Sequence, residues 1–176
     1  MSCILMNYYT DHDPQETFVA EEEGKIIGYI TGSLNTKKYN RTMFFNVFPK
    51  AFFQAIFRKS FWNKKTLLLV LSTIKTVFSG GFKRDIPLDK FPAHLHINLD
   101  KNHRGKHTGK ALMDALLQDL KKRETRGIHL STRADNTSGR NFFEKMGFSL
   151  FKCYPAFFSS GTKCFKGETA VYIREL

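Results

Sequence analysis

The sequence predicts a mixed α/β fold, and three observations predict it. His94-Leu95-His96-Ile97-Asn98-Leu99 alternates in period two, the pattern of a half-buried strand. Leu112, Leu116, Leu117 and Leu120 recur at helical spacing and mark a helix with one apolar face. Arg126-Gly127-Ile128-His129-Leu130-Ser131-Thr132 reads as the next strand, and a short helix follows it, with an Asn or Ser cap near Asn136 and a glycine stop at Gly147. The first strand and first helix are joined by His103-Arg104-Gly105-Lys106-His107-Thr108-Gly109-Lys110. A strand that passes through glycines and cations into a helix N-terminus suits an anion, because free backbone N–H groups point outward there and the helix dipole favours negative charge. The plain alternative is a tight turn with solvated lysines.

The remaining elements fit around this block. With 176 residues and 41% apolar content, the chain can build one sizeable core. Asp11-His12-Asp13-Pro14 is a turn signal. Thr17-Phe18-Val19-Ala20 reads as a strand, Glu21-Glu22-Glu23-Gly24-Lys25 as a hairpin turn, and Ile26-Ile27-Gly28-Tyr29-Ile30-Thr31-Gly32-Ser33 as the returning strand. Residues 41–90 hold ten Lys/Arg against Asp85 and Asp89, which is +8 of the chain's net +12, interleaved with Phe44, Phe45, Phe48, Phe52, Phe53, Phe57, Phe61 and Trp62. Pro49 opens one expected helix to about Arg58, a second runs over residues 64–78, and Gly80-Gly81 ends it. This basic, aromatic insertion has three readings: core-facing helices with solvated lysines, a lid over a binding site, or a surface for anionic membrane or nucleic acid. Leu67-Leu68-Leu69-Val70-Leu71, apolar all round, favours burial.

At the C-terminus, residues 149–154 and 169–174 read as hairpin strands flanking a long loop with Pro155, Phe157, Phe158 and Gly161. Tyr172 alternates with Val171 and Ile173, so one face of that strand is expected to be exposed or shared with a partner, as in a homodimer. Cys3, Cys153 and Cys164 are odd in number and lack metal-ligand spacing, which implies a reduced, cytoplasmic chain with no metal site. No apolar run reaches the roughly 20 residues of a membrane-spanning helix, and solubility is expected.

The two motifs together resemble the GNAT superfamily of acetyl-CoA-dependent N-acetyltransferases. That family carries Q/R-x-x-G-x-G/A between its fourth strand and third helix, and N-x-x-A-x-x-F-Y-E-K-x-G-F around its last helix. Here Arg104 stands at the Q/R, His107 at the first glycine and Gly109 at the second; Asn136, Phe142, Phe143, Glu144, Lys145, Gly147 and Phe148 follow the other pattern. The resemblance covers about residues 17–155, apart from a long segment between Phe44 and Lys90. It implies a mixed, mostly antiparallel sheet with a V-shaped splay between the fourth and fifth strands and helices on both faces. It also implies a single domain over residues 1–176, shortened at the front, where the usual first strand and helix are missing, and carrying residues 41–90 as a helical insertion.

The resemblance implies acetyl-CoA as cofactor and a primary amine as acceptor. Arg104, Gly105, Lys106, His107, Thr108, Gly109 and Lys110 would wrap the pyrophosphate, a role that suits His107 where its φ is negative. The main chain near Ile97 and Leu99 would pair with the pantetheine amides, Asn136 would reach the pantetheine, and Phe143 would lie at the cofactor in place of the family's general-acid tyrosine. Because amines are protonated at pH 7, a general base is expected. His94 and His96 project to one face of their strand and titrate near neutrality, and two packed histidines are the alternative. Ala93-His94-Leu95-His96 resembles the strand of arylalkylamine N-acetyltransferases whose histidine pair relays a proton, offset here by one residue; His96, nearer the thioester end, is the preferred base. Tyr154 or water would protonate the departing thiolate. The block over residues 91–99 also resembles stand-alone bacterial GNAT proteins similar to the acetyltransferase-like domain of O-GlcNAcase. Two other functions stay open: a catalytically weak acetyl-CoA-binding regulator, suggested by Phe143 and the short front, and a basic membrane- or nucleic-acid-associated module. The high positive charge favours a neutral or anionic acceptor surface.

Overall fold

The computed structural model describes residues 8–9, 14–47, 49, 68, 71–72, 75–76, 78, 85–160 and 163–176. Its regular elements are β1 (Thr17–Glu22), β2 (Lys25–Ser33), α1 (Thr36–Thr42), β3 (Ala93–Leu99), α2 (Thr108–Lys122), β4 (Gly127–Arg133), α3 (Thr137–Lys145), β5 (Ser149–Ser160) and β6 (Lys163–Glu175). The strands form one six-stranded sheet in the order β1-β2-β3-β4-β6-β5. The chain divides into two compact units, one of Met1–Val47, Pro87–Leu130 and Ile173–Leu176, the other of Phe48–Ile86 and Ser131–Tyr172.

In the first unit β1 and β2 form the expected hairpin, with Thr17 opposite Thr31 and Glu22 opposite Lys25. Its turn residues Glu23 and Gly24 both have positive φ, the tight-turn geometry whose twist matches a right-handed ribbon. β2 then pairs antiparallel with β3, from Gly28 opposite Leu99 to Ser33 opposite His94. β3 pairs parallel with β4, and among the described residues that ladder consists of Ala93–Ile128 and His94–His129 alone. Beyond His94 the second edge of β3 carries no ladder partner, which is the splay that the sequence implied.

The amphipathic helix α2 buries Leu112, Met113, Leu116, Leu117 and Leu120. It lies close over β2: a Cβ on Gly32 would stand 2.9 Å from Leu116 Cδ1, and one on Gly28 would stand 3.5 Å from Leu112 Cδ1. Glycine at these two positions lets helix and strand approach. Glu16, buried just before β1, pairs with Arg123 at the end of α2 across 3.0 Å. Gly32 faces Leu95 across the β2–β3 ladder, so Leu95, Ile97 and Leu99 share the α2 side and His94 and His96 lie on the other.

That opposite face is covered by α1, which the sequence pattern did not predict because Thr36-Lys37-Lys38-Tyr39-Asn40-Arg41-Thr42 has almost no apolar period. Its start is nonetheless well determined. Asn35 caps it by accepting the Lys38 N–H, and the Thr36 N–H donates to the Pro92 carbonyl at 2.8 Å. Tyr8 and Tyr9, both helical and fully buried, cluster with Met43 and Tyr39 beneath it. The front of the chain, expected to lack the first helix, thus contributes helical residues to the core.

In the second unit α3 begins at Asn136, whose side-chain oxygen accepts the Gly139 N–H at 3.2 Å, as the sequence predicted. Phe143 packs its ring against Phe142, Phe148 and Tyr172. Three C-terminal expectations need correction. β5 runs on through Pro155, Phe157 and Phe158, where a loop was predicted, since Tyr154 and Ala156 are buried in alternation and Thr76 donates its hydroxyl toward, and accepts the N–H of, Phe157. Ala170, Val171 and Tyr172 are all fully buried, so neither face of β6 is open there. β6 is also an interior strand, and the sheet edges are β1 and β5, so an exposed edge at Tyr172 is excluded.

Most of the helical insertion expected over residues 41–90 lies outside the described residues, including nearly all of the helices proposed for 49–58 and 64–78 and the Gly80-Gly81 stop. Of the parts described, Ser72 is buried, whereas Leu71 and Phe78 are exposed, as are Phe44 and Phe45 in the single π-turn Met43–Val47 that follows α1. Cys153 is a free thiol. Among the described residues no helix is long and apolar enough to cross a membrane.

Candidate active site

The strand β3 organises two different sites, one at each end. At its C-terminal end the chain leaves through Asp100, whose carboxylate accepts the Asn102 N–H at 2.8 Å. That backbone bond, with lesser contributions from His103 and Arg104, holds the Asp100 carboxyl below the usual carboxylate range. A 3₁₀ turn (Lys101–His103) follows, fastened to β1 by the 2.9 Å pair between His103 Nε2 and Glu22. Arg104 is extended, Gly105 has φ 81°, and α2 opens at Thr108.

His107, the residue before α2, has φ 62° and ψ −6°. The pyrophosphate role suited His107 on condition of a negative φ, and that condition is not met: the histidine adopts the left-handed conformation that glycine favours. For an L-residue this costs about 1–2 kcal/mol. No side chain caps α2, so among the described residues the N–H groups of Thr108, Gly109 and Lys110 stay turned outward. Arg104 and Lys106 are exposed and form no ion pair among the described residues, while Lys110 is engaged by Asp114 at 2.6 Å. Outward donors, a fifteen-residue helix dipole and exposed cations at one turn are the features that favour an anion. The turn is continuous with the unpaired edge of β3, whose Ile97 and Leu99 backbone offers donors and acceptors to any extended group laid beside it.

The N-terminal half of β3 carries the histidines. His94 and His96 lie on one face with ring centroids 6.1 Å apart, as the alternation predicted, but in different settings. His96 is exposed and meets the Tyr9 ring edge-on at 5.9 Å. His94 is buried with both ring nitrogens engaged, Nε2 by the Tyr9 hydroxyl at 3.0 Å and Nδ1 by Thr36 Oγ1 at 2.8 Å. Burial pushes the His94 pKa well below its ordinary value, and the neighbouring His96 and His129 push it further. His94 is thus a neutral, fixed ring. His129 is also buried and donates Nδ1–H to the Phe91 carbonyl at 3.0 Å. Tyr9, Thr36 and His129 escaped the sequence reading. Only the Asn35 cap signal pointed near one of them, and nothing local in the sequence links Tyr9 to a residue 85 positions on.

In the second unit the Asn136 amide is occupied at both ends, its oxygen by Gly139 N–H and its nitrogen by Thr132 Oγ1 at 3.0 Å. A Cβ on Gly139, which stands where the family pattern has Ala, would lie 2.3 Å from the Asn136 amide nitrogen, so the glycine leaves room for this Asn136 rotamer. Phe143 is a buried aromatic core residue. Tyr154 is buried, and its hydroxyl oxygen accepts the Asp85 N–H at 3.1 Å, leaving its own proton available.

Against known proteins, the Acetyltransferase (GNAT) family matches over residues 79–148, which span the turn before α2 and the whole of α3. No curated protein sequence matches it. Among solved structures it is similar to SsHAT, with TM-score 0.65 and 22% identity over 95% of this chain and 75% of that one. It is also similar to an N-acetyltransferase from Staphylococcus aureus Mu50, with TM-score 0.57 and 15% identity over 97% and 74% of the two chains. A third, yncA from Salmonella typhimurium, solved with its cofactor acetyl-CoA, has TM-score 0.53 and 11% identity over 90% and 63%. At such identities these likenesses concern the fold.

Proposed function

We propose that this protein is an acetyl-CoA-dependent N-acetyltransferase acting on a primary amine. One observation carries the reading: the unpaired edge of β3 runs straight into the uncapped N-terminus of α2 through a turn that holds glycine-like geometry at His107. When bound, acetyl-CoA supplies an activated acetyl thioester, and the amine takes the acetyl carbon as the carbon–sulfur bond breaks, giving an amide and the free thiol. Arg104, Lys106 and the outward N–H groups from Gly105 to Lys110 hold the pyrophosphate, and the Ile97–Leu99 backbone holds the amide-bearing arm. Asn136 and Phe143, which the family motif also implies, belong to the second unit.

Attack needs a neutral amine, and a pKa near 10.4 makes the acceptor an ammonium at pH 7. His96 is the proposed base because it is exposed, whereas His94 is buried, neutral and engaged at both nitrogens. Phe143 has no proton to give. A thiol pKa near 8.5 lets the thiolate leave without much help, and Tyr154 is the candidate donor.

Titration calorimetry with acetyl-CoA, followed by thiol release with a panel of amines, tests this. Micromolar binding that Arg104→Ala weakens, together with turnover lost in His96→Ala, is the expected result. Binding without turnover on any amine would make the protein a cofactor-binding regulator, and no binding would end the reading.

A further inference from the structure

His94 sits within a buried hydrogen-bond chain whose direction can be assigned from one end. Thr36 Oγ1 lies 2.7 Å from the Pro92 carbonyl oxygen, which can only accept, so the threonine proton goes there. At 2.8 Å from His94, the same threonine oxygen must then accept, which places the ring hydrogen on Nδ1. In a neutral imidazole Nε2 is left with its lone pair, and the Tyr9 O–H, 3.0 Å away, fills it. The chain therefore runs from Tyr9 through His94 and Thr36 to Pro92, joining the front of the protein, α1 and the start of β3.

We propose that Tyr9 is a positioning residue for the histidine pair: with Thr36 at the far end, its hydroxyl locks His94 as the Nδ1–H tautomer and holds its ring edge-on to His96. The naming of His96 as base rests on the acetyltransferase reading; the lock does not.

The surroundings of His94 support the lock. The groups facing it are Tyr9 from the front segment, Thr36 and Tyr39 from α1, His96 from its own strand and His129 from β4. Among the described residues none of these is a carboxylate that would favour an imidazolium. His129 is itself tied to the Phe91 carbonyl, and Tyr39 is raised above the usual phenol value mainly by burial. A charge on His94 would stand one ring away from His96 and oppose its protonation, and the two would titrate as a coupled pair. A neutral His94 removes that coupling. The same bond makes the buried front residue part of the site's electrostatics, although it is too buried to touch an acceptor.

Nitrogen-15 NMR of the histidine rings across about pH 5.5 to 8.5 tests this on the free protein and needs no acetyl-CoA. The expected wild-type result is a His94 ring that keeps the Nδ1–H signature across this range. Tyr9→Phe should lose that single-tautomer signature at His94, while Thr36→Ser should keep the wild-type pattern. An Nε2–H tautomer or a titrating His94 in the wild-type protein would overturn the proposal, even if neither variant folds. Unchanged His94 signals in a folded Tyr9→Phe protein would overturn it too. Absence of turnover with every amine would count against the acetyltransferase reading and leave this result standing.

Discussion

The two ends of β3 are built by opposite means. The C-terminal end is a backbone site: its outward N–H groups come from Gly105, from the left-handed His107 and from a helix that starts without a cap. The N-terminal end is a side-chain site, in which Tyr9, Thr36 and His94 hold one another in a fixed proton arrangement. A backbone turn depends on φ and ψ more than on the side chain, and His107 takes the left-handed region that favours glycine. A side-chain site has no such tolerance, because each hydroxyl or ring nitrogen removed leaves a buried partner unsatisfied.

The sharpest way to break this comparison is Thr36→Val. It leaves the His94 Nδ1–H without an acceptor in a buried setting and should cost about 2–3 kcal/mol in denaturant unfolding, with Thr36→Ser near neutral. A cost no larger than that of the exposed Lys38→Ala would show that the chain of bonds contributes nothing to the fold.

Acid is the next probe. His94 is held neutral with its pKa well below 6.5, so the unfolded chain binds the proton more readily than the folded one. Its contribution is complete above the unfolded value of about 6.5 and is lost as pH falls from there toward the depressed folded value, by at most about 1.4 kcal/mol per pH unit. Unfolding midpoints measured from about pH 7 to 5 should fall accordingly, and His94→Gln should flatten the slope. An equal slope in that variant would move the effect to another group.

The backbone end should respond more gently. Arg104→Ala should weaken acetyl-CoA binding about tenfold, and added salt should narrow the difference from wild type. Smallest of all is His107→Gly, which removes a strained Cβ at the cost of a freer unfolded chain and should raise stability by about 0.5 kcal/mol with binding unchanged. A destabilised glycine variant would mean that the imidazole makes a contact that outweighs its strain.

What could be read from the sequence follows the same division. The β1–β2 hairpin, β3, α2, β4 and the Asn136 cap were legible because each is announced locally, by alternation, a leucine face, a positive-φ turn or a capping residue. The turn between β3 and α2 was legible by position, but the negative φ on which the role of His107 was conditioned is not the one it adopts. α1 was missed because its register is set by Asn35 and by the Pro92 carbonyl, 56 residues from Thr36, and not by an apolar period. β5 was cut short because Pro155 and the phenylalanines after it look like a loop until Thr76 and the neighbouring strand are in place. The histidine pair was placed on the right face, but burial of one member depends on Tyr9, which no local pattern could connect to it.

The unpaired edge of β3 has a consequence for handling and storage. A strand with a row of unsatisfied amides invites a second polypeptide as readily as it does a cofactor arm, and exposed sheet edges are where aggregation by strand addition begins. Here the open stretch is only five residues long, and exposed His96 and Asn98 alternate along it, polar groups that discourage a second strand from docking face-on. Filling the edge should therefore protect the protein as well as prepare it. Amide hydrogen exchange at Leu95 to Leu99 and slow self-association on standing should decline together when the ligand is added.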